Sequence, residues 1–431
     1  MKRCSSSSSS GGTSSARPPR RAITNTLRIY DALRRNLLLE EESKDRDISK
    51  GTRPDLNAGS IVNLRGLAVN RNSKVIGSVP GIEVGDQFYF RMEMCCVGMH
   101  GPIQGGIEYL TMKESEYSTP VAISIISSGG YDAKDDGEVL IYTGQGGKSA
   151  LDSKPNEDQK LERGNLAMEG SMKHKVPVRV TRGIKDTTSP SGKTYTYDGL
   201  YKVEQCWSEK GKFGFEEFKF KLRRLPGQPE LGSSVLKLSN SLKQNPSERQ
   251  GLCLADISDG KEGFPVCVVN TVDSLHSPQP FQYSTSLYYP QGASYYQQHF
   301  GGAIGCECKG VCNVSQACSC YSKNGSVFAY LNGGVLVKER AIIYECGSNC
   351  KCPLSCRNRL TQRGMKYRLE VFKTEDRGWG LRSWDSIPAG SFICEYTGKL
   401  IENTQPLRSR DYLLDTSRLP QNIPQWGDAS N

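Results

Sequence analysis

The two stretches CECKGVCNVSQACSC (306–320) and CGSNCKCPLSC (346–356) together hold nine cysteines within 51 residues. Their spacings of one, three and five residues keep the thiols close together on a tight backbone. An odd number of cysteines cannot all pair as disulfides within the cluster. Three tetrahedral zinc ions need twelve ligand positions, and nine thiolates supply twelve if three of them each bridge two metals. The predicted ligands are Cys306, Cys308, Cys312, Cys318, Cys320, Cys346, Cys350, Cys352 and Cys356.

A zinc cluster filled entirely by sulfur is a structural site, because no coordination position is left for water or substrate. The segment around it has few large apolar side chains, and each structural zinc can contribute on the order of 10 kcal/mol to folding. We therefore expect three structural Zn²⁺ ions to build the fold of residues 301–360.

The composition of the 431-residue chain excludes several classes of protein. No window approaches about 18 consecutive apolar residues, so no membrane span is expected. The start MKRCSSSSSS (1–10) has no apolar core, so no secretory signal is expected, and the 16 cysteines favour metal ligands or free thiols over disulfides. The net charge of +10 favours an anionic partner.

The N-terminal part divides into a tail and a helical segment. Residues 1–21 are rich in Ser, Gly and Pro, carry five basic residues and no acidic one, and indicate a disordered basic tail. Residues 22–74 are predicted to be helical. Apolar residues recur there at spacings of three and four, which predicts a helix to about Glu42 that packs on a neighbouring domain. The stripe consists of Ile23, Leu27, Tyr30, Leu33 and Leu37.

Residues 75–225 contain short runs of β-branched and aromatic residues between glycines, which indicates a β-rich barrel or sandwich. The predicted strands are Asp86–Glu93, Val121–Ser127, Glu138–Tyr142, Val176–Thr181, Thr194–Tyr197 and Phe215–Leu222. One helix is predicted over Lys160–Met172, with Leu161, Leu166 and Met168 facing inward. Residues 226–300 are rich in Ser, Pro and Gln and are predicted to be a linker, except for a strand at Phe264–Asp273 that belongs with the following domain.

Several motifs resemble one known family. The nine-cysteine block followed by RGWGLRSWDSIPAGSFICEYTGKLI (377–401) resembles the pre-SET and early SET region of Su(var)3-9-type histone lysine methyltransferases. Upstream, VPGIEVGDQFYFRME (79–93), IYTGQGG (141–147) and TYTYDGLYKVEQCW (194–207) resemble the SRA, or YDG, domain. The order SRA, pre-SET, SET is that of the plant Su(var)3-9 homologues. The resemblance implies an α+β, mainly β multi-domain protein: a β-rich SRA barrel (75–225), a zinc-cluster pre-SET module (301–360) and a partial β-rich SET domain (361–431).

The SET resemblance implies a binding site for S-adenosylmethionine. SET domains bind this cofactor at a turn that here is Arg377, Gly378, Trp379 and Gly380, and again at a pair that falls on Asp411 and Tyr412. Tyr396, in CEYTG (394–398), matches a tyrosine of the catalytic lysine channel. The Asn-His-Ser-Cys-type motif and the post-SET cysteines of the family are not found after Tyr412. We therefore expect this chain to be a truncated or partial SET protein that does not methylate by itself.

The SRA resemblance implies extrusion of 5-methylcytosine from duplex DNA into a pocket. It places Tyr131 and Tyr142 on the two faces of the base, Thr143 in the pocket lining, and an Asp on the base edge, with Asp132 preferred over Asp135. Gln104 matches the residue that enters the space vacated in the duplex. Phosphate contacts are expected from basic residues of the domain, namely Lys148, Lys173, His174, Lys175, Arg179 and Arg182. The triplet Tyr197-Asp198-Gly199 is expected to organise the fold and not to touch the base.

Two functions follow as expectations. The first is a nuclear, chromatin-bound histone H3 lysine-9 methyltransferase that is recruited by methylated DNA and acts on the histone H3 tail. The second is a catalytically inactive methyl-DNA reader or adaptor. The sequence does not indicate an oligomeric state.

Overall fold

The computed structural model describes residues 19–43, 53–71, 74–128, 136–147, 155–288, 305–313, 318–340, 342–399 and 401. The tail expected at residues 1–21 lies almost wholly outside these ranges. Within them, no helix is long and apolar enough to cross a membrane.

Two helices open the described part of the chain, α1 at Pro19–Ser43 and α2 at Pro54–Leu64. The predicted apolar stripe of α1 is confirmed, because Ile23 and Tyr30 are buried and Leu27, Leu33 and Leu37 pack beside them. Ile23 belongs to the same buried cluster as residues of the β-rich domain. Further along, the Tyr30 hydroxyl donates to the Asp55 carbonyl at 3.1 Å and fixes α1 against α2.

The β-rich domain contains a seven-stranded sheet with the order β2-β3-β5-β6-β7-β4, and β1 pairs with β6. Its strands are β1 Gln87–Phe88, β2 Ile107–Leu110, β3 Val121–Ser127, β4 Val139–Thr143, β5 Val178–Lys185, β6 Lys193–Lys210 and β7 Glu216–Arg224. The pair β3 and β5 is parallel, and the helix α4 (Arg163–His174) lies between them in the sequence. The other pairs are antiparallel.

The strand predicted at Asp86–Glu93 is wrong over most of its length. The chain leaves the strand after Phe88 and begins the helix α3 (Arg91–Cys96). The buried Glu93 carboxylate causes this change, because it accepts the backbone N–H groups of Tyr89 at 2.6 Å and Phe90 at 3.1 Å, which would otherwise have no partner at the helix start. The strand β2 was not predicted, and β6 is far longer than the predicted Thr194–Tyr197.

Helix α4 exists, but its buried face differs from the predicted one. Met168 is buried as expected, whereas Leu161 precedes the helix and Leu166 is 37% exposed. Asn165 and Ser171 are buried instead, because their side chains bind backbone groups of neighbouring segments. The Asn165 amide donates to the Gln145 and Lys160 carbonyls, both at 2.9 Å, and the Ser171 hydroxyl donates to the Ala122 carbonyl at 2.9 Å.

The linker predicted over most of residues 226–300 is wrong at residues 232–254. These residues contain the helix α5 (Gly232–Gln244), a 3-10 turn (Pro246–Glu248) and the strand β8 (Leu252–Leu254), and the strand β9 (Cys267–Val269) follows. A Ser-rich helix has little stability alone. Here Leu236 and Leu242 are buried, and the Ser233 N–H donates to the buried Asp198 carboxylate at 2.8 Å.

A second, four-stranded sheet has the order β11-β10-β9-β8, with β10 at Leu369–Lys373 and β11 at Trp379–Ser383. The strand predicted at Phe264–Asp273 is confirmed as β9, which runs parallel to β10. The buried Glu370 carboxylate joins the two halves of this unit, since it binds the Arg249 guanidinium at 2.9 and 3.0 Å and also the Arg382 guanidinium. The segment before the cysteine cluster and the segment after it therefore share one sheet.

Candidate functional site

The nine predicted metal ligands lie together in one cluster, to which Phe328 also belongs. Eight of the thiols are buried and Cys350 is half-buried. The Sγ atoms of Cys306 and Cys312 are 3.6 Å apart, and those of Cys312 and Cys346 are 3.7 Å apart. These separations are far longer than a disulfide bond, which measures about 2.05 Å. The cluster therefore has the spacing of ligands around metal ions.

The thiols form groups of four whose Sγ atoms all lie within 4.8 Å of one another, as the four ligands of a tetrahedral ion would. Cys306 belongs to all three groups, Cys312 and Cys346 belong to two each, and the predicted ligand Cys356 lies in the cluster but in none of these groups. The groups are Cys306, Cys308, Cys312 and Cys318; Cys306, Cys320, Cys346 and Cys350; and Cys306, Cys312, Cys346 and Cys352. The cluster can hold metal, and sharing of thiols between groups is what bridging thiolates require.

The backbone around the cluster is held by hydrogen bonds that bring its two halves together. The Lys351 N–H donates to the Cys306 carbonyl at 2.9 Å, and the Cys346 N–H donates to the Asn358 carbonyl at 2.8 Å. The buried Arg359 guanidinium donates to the carbonyls of Gly347 and Cys352. Burial raises the pKa of the Cys352 thiol, and the Arg359 guanidinium beside it acts in the opposite direction.

The candidate base pocket is only partly described. Tyr131, Asp132 and Asp135 lie outside the described residues. Tyr142 lies on β4 and is buried, and burial raises the pKa of its hydroxyl to about 12. Thr143 follows it at the end of the strand, and its hydroxyl accepts a hydrogen bond from Lys219 Nζ at 2.9 Å.

Gln104 lies exposed in a loop (101–106) between α3 and β2. This loop touches Tyr142, because a Cβ atom added at Gly106 would lie 2.5 Å from the Tyr142 hydroxyl oxygen. The structure therefore brings the loop that carries Gln104 against the buried Tyr142, although Gln104 and Tyr142 are 38 positions apart in the sequence.

The segment GGYDAKDD (129–136), which carries the predicted pocket residues Tyr131 and Asp132, is called the pocket loop. Directly after it, two buried side chains bind the backbone at Gly137. The Tyr201 hydroxyl and the Arg182 guanidinium both donate to the Gly137 carbonyl. Arg182 in turn binds the Asp198 carboxylate at 2.7 Å, with both side chains buried. Asp198 is the acid of the YDG triplet, so the expectation that this triplet organises the fold is confirmed.

Two of the expected phosphate contacts are wrong, because Arg179 and Arg182 are fully buried. The Arg182 guanidinium forms an ion pair with Asp198. The Arg179 guanidinium donates to the Met99 and Gly77 carbonyls at 3.3 and 2.8 Å. Lys173 and Lys175 are exposed, as a phosphate contact requires, and Lys148 lies outside the described residues. The sequence of β5 does not show which of its arginines are buried, and the phosphate contacts of Arg179 and Arg182 were therefore mispredicted.

The candidate cofactor turn lies between β10 and β11. The Thr374 N–H and hydroxyl both donate to the Gly378 carbonyl, at 2.7 and 2.9 Å, and close the turn. Gly378 has a φ of +74° and open space where a side chain would be, so a ligand could approach its backbone closely. The Trp379 ring packs against Lys373 Nζ, 5.4 Å from its centroid, and Arg377 is exposed. Asp411 and Tyr412 lie outside the described residues, and the Tyr396 side chain is 70% exposed.

Sequence reasoning missed Arg91 and His100, which hold the loop that carries Gln104. The Arg91 guanidinium donates to the Gln104 carbonyl at 3.0 Å, and His100 Nε2 lies 3.0 Å from the Gly105 carbonyl. A side chain that acts on backbone carbonyls leaves no motif. The glycines of HGPIQGGI (100–107) were the one available sign of a closely packed loop.

Comparison of the chain with known protein families identifies two of its domains. The SAD/SRA domain model matches residues 75–228, and the pre-SET motif model matches residues 258–359. The pre-SET match thus begins within the segment predicted to be a linker. The class is that of proteins in which an SRA domain precedes a pre-SET module.

The chain is 46% identical to the H3 lysine-9 specific histone-lysine N-methyltransferase SUVH1 of Nicotiana tabacum, over 91% of this chain and 55% of that protein. The crystal structure of SUVH9 matches with a TM-score of 0.78 and 44% identity, covering 88% of this chain and 75% of that one. The structure of KRYPTONITE in complex with mCHG DNA and SAH matches with a TM-score of 0.71 and 38% identity, covering 89% and 78% of the two chains.

The chain belongs to the SUVH family of plant Su(var)3-9 homologues. The resemblance drawn from the cysteine block and the SRA motifs is therefore confirmed, as is the mixed, β-rich multi-domain fold. The chain spans 55% of the length of the tobacco relative. Relatives that carry the name of histone methyltransferases are chromatin proteins.

Proposed function

We propose that this protein binds methylated cytosine in duplex DNA through its SRA domain and serves the methylation of histone H3 lysine 9 in chromatin of the nucleus. The observation that carries the proposal is the contact of the loop at residues 101–106, which carries Gln104, with the Tyr142 hydroxyl through Gly106, on a domain that the SAD/SRA model matches. KRYPTONITE, which is similar to this chain over most of its length, was crystallised with methylated DNA and SAH.

Within this proposal, Tyr131 and Tyr142 stack on the extruded base, Asp132 accepts a hydrogen bond from its amino group and Thr143 lines the pocket. Gln104 fills the space that the base leaves in the duplex. Extrusion costs a few kcal/mol, and stacking together with hydrogen bonds to the base edge offset that cost. The described contacts support this arrangement, since Tyr142 is held in the core while Gln104 is free to reach outward.

The metal centre is proposed to hold three zinc ions, with Cys306, Cys312 and Cys346 as the bridging thiolates. Thiolate-rich tetrahedral groups are the ligand sets that zinc prefers. When bound, the metal supplies folding free energy and no reaction chemistry, because thiols occupy every ligand position. Nine thiolates and three divalent ions together carry three negative charges, so the neighbouring buried Arg359 stabilises the cluster electrostatically.

The second part of the proposal concerns methyl transfer. Arg377, Gly378, Trp379 and Gly380 fit one wall of a cofactor site, because the positive φ and open space at Gly378 expose backbone groups. Asp411 and Tyr412 are proposed to complete it, and Tyr396 to line the lysine channel. S-adenosylmethionine supplies the methyl group when bound. Deprotonating a lysine at pH 7 costs about 4–5 kcal/mol, which an enclosed tyrosine-lined channel lowers by desolvation.

A second candidate function, a methyl-DNA reader or adaptor without catalysis, is favoured by the 70% exposure of Tyr396. An exposed tyrosine does not desolvate a lysine amine. The two candidates differ in one measurement, transfer of a labelled methyl group from S-adenosylmethionine to an H3 tail peptide by the 431-residue chain. Transfer that stops when Tyr396 is changed to Ala, which removes the ring from the channel, supports the enzyme, and no transfer by a chain that still binds methylated DNA supports the reader.

The DNA part of the proposal is tested with Tyr131→Ala. Loss of one stacking face should weaken binding of a methylated duplex about tenfold and leave binding of the unmethylated duplex nearly unchanged. Fluorescence anisotropy at fixed salt measures both constants. Tyr288→Ala, at an exposed tyrosine outside the SRA match, is the control and should change neither. Equal weakening on both duplexes by Tyr131→Ala would contradict the pocket.

A further inference from the structure

The loop at residues 101–106 is held by three side chains that come from α3 and the turn after it. Arg91 reaches furthest, since its Nη1 donates to the Gln104 carbonyl at 3.0 Å and its Nη2 donates to the Gly105 carbonyl and, at 3.5 Å, to the Pro102 carbonyl. The Cys95 thiol donates to the Gly101 carbonyl at 3.2 Å. The loop conformation is therefore set from outside, by bonds to its carbonyl oxygens.

His100 adds a bond whose direction is fixed. A carbonyl oxygen can only accept, so Nε2 donates to the Gly105 carbonyl at 3.0 Å and Nδ1 accepts from the Ser124 hydroxyl at 3.0 Å. Burial lowers the pKa of His100 to about 3, so the ring stays neutral near pH 7 and keeps this pattern. The Gly105 carbonyl thus receives two donors, one from Arg91 and one from His100.

The other end of the loop is fixed against the base pocket. The Ile126 N–H donates to the Gly106 carbonyl at 2.9 Å and joins the loop to β3. Gly106 is also the residue against which the Tyr142 hydroxyl packs. One continuous set of contacts therefore runs from Arg91, through Gly105 and Gly106, to the pocket wall.

The positive charge of Arg91 faces backbone carbonyl groups and no carboxylate among the described residues. Within the described residues it forms no ion pair, and its guanidinium is half-buried against neutral carbonyls, where desolvation lowers its pKa. Removing water from a cation without a carboxylate partner costs free energy. That cost is offset here by charge-assisted hydrogen bonds, which are stronger than neutral ones and fix three carbonyl groups of the loop, those of Pro102, Gln104 and Gly105.

We propose that Arg91, assisted by His100, is a positioning residue that holds Gln104 at the height and angle needed to enter the duplex while the extruded base meets Tyr142. This inference rests on the proposed function of the SRA domain. In this role Arg91 does not contact DNA. It links the entry of Gln104 into the duplex to the binding of the extruded base at Tyr142. Ordering the loop before binding removes an entropic cost that the complex would otherwise bear.

The test uses the full chain and four variants, Arg91→Met, Arg91→Lys, Gln104→Ala and the double variant Arg91→Met with Gln104→Ala. A duplex with 2-aminopurine beside the methylated cytosine reports base extrusion by its fluorescence, and anisotropy reports affinity over a range of salt concentrations. Arg65→Ala is the charge-matched control, because Arg65 is exposed at the end of α2 and lies outside the SRA match.

We expect Arg91→Met to lower the preference for methylated DNA about tenfold and to reduce the fluorescence change. Gln104→Ala should then have little further effect in the Arg91→Met background, because a misplaced glutamine no longer contributes. The slope of log affinity against log salt should stay that of the wild type, since no phosphate contact is lost. The preference of Arg91→Lys for methylated DNA should lie between that of the wild type and that of Arg91→Met, because one ammonium cannot span three carbonyls.

Three results would overturn the inference: wild-type extrusion by Arg91→Met, additive losses in the double variant, or a salt slope reduced by about one, which marks a lost phosphate contact. If Arg91→Met does not fold, the same criteria apply to Arg91→Lys and to its double variant with Gln104→Ala. Failure of the proposed function looks different, since the wild-type chain would then show no preference for methylated DNA at all.

Discussion

Gly106 shows how one missing side chain shapes a site. Its backbone lies so close to the Tyr142 hydroxyl that an added Cβ would be 2.5 Å from that oxygen, and its φ is compatible with alanine. Tyr142 and the loop that carries Gln104 can therefore touch only because position 106 is glycine.

This contact gives a prediction with a built-in rescue. Gly106→Ala should displace the tyrosine or the loop and weaken binding of methylated DNA about tenfold, a cost typical of a tight overpacking clash. Adding Tyr142→Phe removes the clashing oxygen and should restore most of the affinity. Gly263→Ala, at a glycine with open space around it, is the control. Equal binding by Gly106→Ala and wild type, measured by anisotropy, would refute the contact.

Glu93 is the buried carboxylate that begins α3. Burial raises its pKa from about 4.5 to about 7, although the N–H groups of Tyr89 and Phe90 act in the opposite direction. The folded state therefore holds this proton more tightly than the unfolded state does. Stability from this group is fully present below pH 4.5 and is lost as pH rises through about 7.

The predicted loss amounts to about 3 kcal/mol across that interval, from the difference in pKa between the two states. Glu93→Gln keeps an oxygen that accepts the two N–H groups and has no charge to lose. We expect the unfolding midpoint of the wild type, relative to that of Glu93→Gln, to fall between pH 4.5 and pH 7. Glu230→Gln, at an exposed carboxylate, serves as control. A constant difference between wild type and Glu93→Gln over this range would count against the raised pKa.

At the scale of elements, α5 depends on a carboxylate from another segment. Asp198 accepts the Ser233 N–H with one oxygen and binds Arg182 with the other. The YDG acid thus joins β5, β6, the start of α5 and, through Arg182, the Gly137 end of the pocket loop.

Asp198→Asn should therefore destabilise the protein strongly. It removes the negative charge that binds the buried Arg182 guanidinium, and breaking a buried ion pair typically costs about 3–5 kcal/mol. A thermal melt of the purified chain should show a clear decrease in the transition temperature. Asp259→Asn, at an exposed aspartate, should change stability by no more than about 0.5 kcal/mol. An Asp198→Asn variant as stable as wild type would show that Asp198 does not hold these elements together.

The elements differ in how well the sequence predicts them, and the reason is where their stability comes from. The stripe of α1 and the core strand Val121–Ser127 carry their own apolar pattern, and both were predicted. Helix α5 has a Ser-rich sequence and is stabilised from outside by Asp198, so it was read as linker. The start of α3 depends on one buried carboxylate, and a run such as FYFRM predicts a strand equally well.

The same distinction applies to the candidate site. The cysteine cluster was predictable, because ligand type and spacing are properties of the sequence itself. Tyr142 and Gln104 were identified through motifs, but their contact through Gly106 was not, since it depends on how β4 and the loop pack. The burial of Arg179 and Arg182 was missed for the same reason.

At the scale of the whole molecule, α1 contacts both the SRA domain and the segment that contains the cysteine cluster. Its N-terminal half contributes Ile23 to the core beside the SRA sheet. Its C-terminal half contributes Arg35, which donates to the Val337 carbonyl at 2.9 Å, and Glu42, which binds Arg357 at 2.7 Å. The metal-binding segment and the SRA domain are therefore joined by one helix as well as by the chain.

The metal centre gives a prediction at this scale. Native mass spectrometry should find three zinc ions per chain, and Cys312→Ser should lose more zinc than Cys318→Ser, because a bridging thiolate serves two ions and a terminal one serves a single ion. Cys253→Ser, outside the cluster, should keep all three. A folded wild-type chain without metal after purification in the presence of zinc would contradict the cluster.

The claim on which the account depends is that the SRA domain distinguishes a methylated from an unmethylated cytosine. The most direct measurement is the ratio of dissociation constants of the 431-residue chain for two duplexes that differ only in the cytosine methyl groups. We predict a ratio of about ten or more in favour of the methylated duplex at one salt concentration. A ratio of one would contradict the account.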